Sequence, residues 1–171
     1  GDLSATQAIT VNVNNLNDNA PVFTSSASFN ADENQTSINT VTATDADDSS
    51  LSFTISGSEL LINNDGILTF ATTPDYETKS SYTATITVSD GVASAAQNIT
   101  VSINNLNDNA PVFTSSASFS AAENQIAIGT VTATDADGNS MSFSVSGSEL
   151  SISTAGQLSF ITAPDYETTT S

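Results

Sequence analysis

The chain has no cysteine, no histidine, no arginine and no tryptophan, and Lys79 is its single basic residue. Without cysteine there is no disulfide staple and no thiolate. With histidine also missing, any metal would have to be held by oxygen alone. Against the one base stand 19 acidic residues, for a formal charge of −18. That charge makes nucleic acid and anionic membrane surfaces poor partners, and no signal peptide or membrane-spanning run is legible. Aromatic residues are only 6% of the chain, which together with the charge would fit a disordered polymer. The hydrophobic 37% is strongly patterned, however, and disorder is rejected.

What is present is a repeat. Asn105 to Phe113 reads Asn-Leu-Asn-Asp-Asn-Ala-Pro-Val-Phe, and the same nine letters occur at Asn15 to Phe23, 90 residues earlier. The register holds from Gly1/Gly91 onward, so the chain is a tandem of modules of about 90 residues. Residues 1–19 read as the last strand of a preceding repeat plus its linker, 20–109 as a complete repeat plus linker, and 110–171 as a second repeat short of its last two strands. In each linker, proline forces the preceding residue into extended backbone and bars a helix. The Asn and Asp oxygens make it a joint suited to a hard cation.

Period-two alternation dominates between the joints. Ile9, Val11 and Val13 share one face of a strand over 8–13, and Ile99, Val101 and Ile103 share one face of its counterpart. Further strands are expected at Val22–Phe23 running on to Phe29, at 41–44, at 51–55, at 60–62, at 67–70 and at 82–88, with turns at 56–58 and 63–66. Nothing has helical spacing. The expected fold is all-β, a tandem of seven-stranded Greek-key β-sandwiches. Phe23, Phe29, Phe53, Phe70 and Tyr82 read as core. Outward Thr and Ser read as a solvated strand face with high β-propensity. The Asn-x-Thr triplets at Asn34 and Asn98 are glycosylation sequons, with Asn34 set aside because it sits in an acidic motif.

The acids collect at module ends. Glu33, Asp75, Glu77 and Asp108 fall at one end of the complete repeat, and Asp45, Asp47 and Asp90 at the other. Glu123, Asp165 and Glu167 repeat the first set, Asp135 and Asp137 the second; with Asp18 these are most of the 19. Two like charges 4 Å apart repel by about 1 kcal/mol in water and about 4 at an effective dielectric of 20. Stacked modules would therefore need a divalent cation, and an all-oxygen ligand set selects calcium over zinc or copper. Asp135-Ala-Asp137-Gly138-Asn139 imitates an EF-hand, but Ser146 stands where the loop needs its twelfth-position Glu, and flanking helices are missing. Asp75 and Glu77 as a glycosidase pair lack a cleft and recur as 165 and 167, as scaffold residues do. The chain reads as no enzyme.

These motifs, in this order, resemble the cadherin repeat: the nine-residue linker, Glu33-Asn34 and Glu123-Asn124, Asp45-Ala-Asp47 and Asp135-Ala-Asp137, Asp75-Tyr-Glu77 and Asp165-Tyr-Glu167, and Ser89-Asp90-Gly91. The resemblance implies about three calcium ions per junction, stiffening the tandem. It gives Glu33, Asp75, Glu77 and Asp108 two ions with Asp137 shared. It gives Asp135, Asp137, Asn107 and the Asn109 carbonyl the third, with the Leu106 carbonyl and one near Asn139 or Ser140 completing the shells. Asn17, Asp18, Asn19, Asp45, Asp47 and Asp90 occupy the matching positions of the preceding junction, and Glu123, Asp165 and Glu167 those of the following one.

Asn105 and Asn15 depart from the acid the family often carries, which lowers the charge there. The second repeat lacks a match to Asp90, so its third ion should miss a ligand. Without tryptophan, strand exchange anchored by that residue cannot operate in this segment. The implied function is a calcium-binding extracellular spacer of a cell-surface adhesion protein, whose partners are calcium, neighbouring repeats and like molecules. Its near-identical repeats and scarcity of bases favour a microbial surface adhesin. The alternatives are a self-assembling fibre subunit completed by strand donation from residues 8–13 of a neighbour, or a homophilic or carbohydrate-binding module.

Overall fold

A computed structural model of the chain describes residues 1–47 and 50–168. The chain divides into two compact units, Gly1–Asn104 and Asn105–Ser171.

In the first unit the strands are β1 (Val22–Phe23), β2 (Ser28–Asp32), β3 (Ser37–Thr40), β4 (Ala43–Thr44), β5 (Ser52–Ile55), β6 (Leu60–Ile62), β7 (Ile67–Phe70), β8 (Ser81–Ser89) and β9 (Ser94–Asn104). They build a four-stranded sheet in the order β2-β9-β8-β5, a three-stranded sheet β3-β7-β6 and a small ladder β1-β4. All pairs are antiparallel except β2 with β9, which run parallel with Phe29 opposite Val101. The long β8–β9 hairpin is the spine. Its inward residues Ile86, Val88, Ile99 and Val101 are essentially solvent-free, each contributing about 1.5–3 kcal/mol by burial. Ile86, Ile99 and Val101 meet Leu60, Leu68 and Phe70 of the other sheet in one core. Phe23, Phe53 and Tyr82 pack against it as expected, and the Tyr82 ring stands edge-on to Phe70 at 5.1 Å.

The all-β sandwich expected from the alternation is found, with finer differences. Nine strands appear rather than seven. β3 escaped notice because Ile38 is its one apolar residue, and it is held by backbone pairing to β7. The strand expected over 41–44 shrinks to Ala43–Thr44. The Thr42 carbonyl instead takes the N–H groups of Thr24 and Ser25, and the Val41 N–H goes to the Gly66 carbonyl. The strand expected over 8–13 does not form, and Ile9, Val11 and Val13 are 78–91% exposed. Alternation specifies a face, but a ladder needs a neighbour, and this segment has none among the described residues.

The second unit carries β10 (Val112–Phe113), β11 (Ala127–Thr130), β12 (Ala133–Thr134), β13 (Leu150–Ile152) and β14 (Gln157–Phe160). They pair as β10-β12 and β11-β14-β13, copying β1-β4 and β3-β7-β6. Among the described residues nothing corresponds to β8 or β9. The segments matching β2 and β5, at 118–122 and 142–145, form no strand either, since those were their partners.

Candidate metal centre

Two groups of acidic loops mark the two ends of β8 in the first unit. Asp75 and Glu77 precede its first residue and Asp90 follows its last, a span of about 30 Å at the usual rise per residue.

At the Asp90 end, the linker 15–19 wraps around the Asp45-Ala-Asp47 turn. The Asn15 side-chain amide donates to the Asp47 carbonyl (3.1 Å), and the N–H groups of Asp18 and Asn19 donate to Asp47 Oδ2 (3.0 and 2.7 Å). The Asn19 amide donates to Asp47 Oδ1 (3.0 Å) and Asp18 Oδ1 (3.1 Å). The Asp47 N–H donates in turn to Asp45 Oδ1 (2.8 Å). Asp90 Oδ1 accepts from the N–H groups of Val92 and Ala93 (2.7 and 2.6 Å), shaping the turn into β9. Three oxygens are left over. Asn17 Oδ1, Asp45 Oδ2 and Asp90 Oδ2 are all shielded from solvent and all lack a hydrogen-bond partner. A dehydrated acceptor without a partner costs about 1–3 kcal/mol. One further such oxygen among the described residues, Gln97 Oε1, lies on β9.

The second unit repeats the wrapping. Asn105 donates to the Asp137 carbonyl (3.1 Å), and the Asn109 N–H donates to Asp137 Oδ2 (2.8 Å). The Asn109 amide donates to Asp137 Oδ1 (2.9 Å) and Asp108 Oδ1 (2.8 Å). Asp137 is buried, and its N–H donates to Asp135 Oδ1 (3.0 Å). Leu106 and Asn107 sit exposed within this linker. Asn15 and Asn105, read from sequence as a simple loss of charge, are therefore donors that fasten the linker to the Asp-x-Asp turn, which a carboxylate could not do.

At the other end of the first unit, Glu33 is 2% exposed. The Tyr76 N–H donates to its Oε2 (2.8 Å), and its carboxylate lies within 4.8 Å of that of Glu77. Asp75 accepts from the hydroxyl (2.9 Å) and N–H (3.1 Å) of Thr78. In the second unit the Tyr166 N–H donates to Glu123 Oε2 (3.0 Å), and Glu123, Asp165 and Glu167 bring carboxylate oxygens within 4.8 Å of one another.

The residue after each Glu explains the Glu-Asn pair. Asn34 and Asn124 have φ of 63° and 61°, and each donates its N–H to a proline carbonyl, Pro74 or Pro164. Asparagine tolerates this left-handed backbone better than other non-glycine residues. Asn34→Gly should leave the melting temperature nearly unchanged, while Asn34→Ala should lower stability by about 1 kcal/mol, as read in denaturant titration.

Hydrogen bonds favour the ionised form of three of these acids. Asn19, chiefly through its backbone N–H, holds the Asp47 carboxyl below the ordinary aspartate range. The Thr78 hydroxyl does the same for Asp75, and the Thr168 hydroxyl for Asp165. No organic counter-charge is to hand, because Lys79 is taken up by both oxygens of Glu59 (2.5 and 2.7 Å) and lies over the Tyr82 ring. Hydrogen-bonded carboxylates with dehydrated oxygens left over suit a hard cation.

Two-layer β repeats with acidic loops at both ends are cadherin-like, and solved structures agree. The human protocadherin-24 EC1-2 fragment superposes with a TM-score of 0.75 at 23% identity, covering 90% of this chain and 82% of that one. The human desmocollin-1 ectodomain does so at 0.73 and 26% identity, covering 89% and 35%. Neural-cadherin of Drosophila melanogaster is 33% identical over 123 residues, 66% of this chain, and the chain spans 4% of that protein's length. The family described as Bacterial Ig domain matches residues 17–102, half of the chain, and the chain belongs to it. No helix among the described residues is long and apolar enough to cross a membrane.

Proposed function

We propose that this chain is a calcium-binding spacer from an extracellular cell-surface adhesion protein, with no catalytic role. The observation that carries the reading is the trio of dehydrated, partnerless oxygens on Asn17, Asp45 and Asp90. A cation bound there turns three unfavourable desolvations into ligand bonds. Asn17, Asp45, Asp47 and Asp90, with the Asn19 carbonyl, would hold one ion at the head of the first unit. Glu33, Asp75 and Glu77 would offer ligands at the far end of the first unit, and Asn107, Asp108, Asp135, Asp137 and the Leu106 and Asn109 carbonyls would do so at the head of the second. Asp18 and the Glu123, Asp165 and Glu167 cluster would play the same parts toward preceding and following repeats. The bound ion supplies positive charge; the chain supplies the pre-shaped loops and the linker wrapping that fixes the joint. The match to a bacterial family, added to the near absence of bases, supports a microbial surface adhesin.

Melting in millimolar calcium and then in excess chelator tests this. A ligand at 100 times its dissociation constant adds about 2.7 kcal/mol, which for a module of this size is a fall of about 10–20 °C on chelation. Small-angle scattering should show a stiffer particle with calcium than without. An unchanged melt and an unchanged scattering profile would sink the reading.

A further inference from the structure

Neither linker, 15–19 or 105–109, belongs to a strand, so no ladder holds it in place. What holds it is a set of donors turned onto one residue of the Asp-x-Asp turn. In the first unit the Asp18 N–H, the Asn19 N–H and the Asn19 amide reach the Asp47 carboxylate at 3.0, 2.7 and 3.0 Å, and the Asn15 amide takes the carbonyl of the same residue. The second unit repeats this: the Asn109 N–H and amide reach the Asp137 carboxylate at 2.8 and 2.9 Å, and the Asn105 amide takes its carbonyl. In each copy, linker and turn lie within one unit.

We infer that Asn15 and Asn105 are latches that keep each linker docked on its Asp-x-Asp turn when no cation is bound. The inference rests on the calcium reading for the use of the joint but not for its order. It deepens that reading, because the metal then enters a linker already in place instead of assembling one. Both residues act by positioning the linker, and neither is assigned as a ligand.

The chemistry of the contacts carries the latch. Hydrogen bonds to a carboxylate are roughly twice as strong as neutral ones, so the linker's N–H groups do at Asp47 part of what a cation would do. The Asn15 amide adds a second grip, and the linker is then held at residue 15 as well as at residues 18 and 19. Holding both ends of so short a segment leaves little conformational freedom between them. An aspartate at position 15 has the same size and the opposite effect. It would set a carboxylate oxygen where the amide nitrogen now stands, 3.1 Å from the Asp47 carbonyl oxygen, and two acceptors repel.

Amide hydrogen exchange of the full chain in excess chelator, read residue by residue by NMR, tests this with no metal present. The N–H groups of Asp18, Asn19 and Asn109 should exchange well below the rate of an unstructured peptide. Asn15→Ala should speed Asp18 and Asn19 by about fivefold, the effect of losing one net hydrogen bond, and leave Asn109 unchanged. Asn15→Asp should speed them further, and Asn105→Asp should speed Asn109 alone. A side chain that merely filled space would give the reverse order, with aspartate harmless and alanine harmful. That order, or unprotected linker amides in the unsubstituted chain, would overturn the latch. Calcium is absent throughout, so such a failure would leave the calcium reading standing, and a flat calcium melt would leave protected amides as support for the latch.

Discussion

Asp45→Asn is expected to melt like the unsubstituted chain in chelator and to lose most of the calcium-dependent rise. The reasoning rests on the two oxygens of one carboxylate doing different work. Oδ1 accepts the Asp47 N–H at 2.8 Å and holds the Asp-x-Asp turn, while Oδ2 is dehydrated and has no partner. Asparagine keeps an oxygen for the first task and replaces the second with an uncharged amide. In the absence of metal the substitution should therefore be neutral or slightly stabilising. In its presence a carboxylate ligand is gone, and the response of about 2.7 kcal/mol expected at 100 times the dissociation constant should shrink to a small fraction at the same calcium concentration. Calorimetric titration alongside the melts separates the two effects. Equal destabilisation with and without calcium would mean the residue serves only the turn, and an undiminished calcium response would remove Asp45 from the site.

Gly66→Ala should be strongly destabilising. Gly66 closes the tight turn between β6 and β7 with φ of 77°, and a Cβ there would lie 2.1 Å from the Val41 carbonyl oxygen. Neither side can yield cheaply. Val41 is 2% exposed, and its N–H donates to the Gly66 carbonyl at 2.8 Å. Relief requires breaking that bond in a buried setting, at about 1–3 kcal/mol, on top of about 1–2 kcal/mol for the backbone conformation itself. A total of about 3 kcal/mol corresponds to a melting temperature lower by about 15 °C. Gly57 makes the control: its φ is 81° and nothing lies within 4 Å of an added Cβ, so Gly57→Ala should show the conformational cost alone. Equal losses at the two positions would refute the steric argument. Gly156 meets Val131 in the same way, so the turn belongs to the repeat rather than to one copy of it.

Much of the fold was legible because one kind of information is local. Ile86 and Val88, or Ile99 and Val101, alternate with polar neighbours, and alternation in a strand is a statement about faces that needs no partner. Asn63-Asn64-Asp65-Gly66 announces a turn because glycine alone accepts that φ without cost. Residues 8–13 alternate as β9 does, yet no strand among the described residues stands beside them to make a ladder. The same reasoning passed over β3, which has almost no apolar signal and is held by hydrogen bonds to β7. At the candidate metal centre, spacing in the sequence placed Asp45, Asp47, Asp75, Glu77 and Asp90 at module ends, but it could not tell which of their oxygens hydrogen bonds take up. Asn15 and Asn105 looked like missing acids and prove to be the clamps that bind linker to turn.

By itself, then, the sequence determined an all-β chain of 90-residue repeats, an oxygen-only ligand chemistry and an excess of negative charge without internal compensation. Those are properties of composition and period, which survive in any conformation. Tertiary structure alone decided which alternating segments became strands and which oxygens were stripped of water and left without donors. Each of these depends on what another part of the chain places beside the residue, and only the folded packing of distant segments brings that neighbour in.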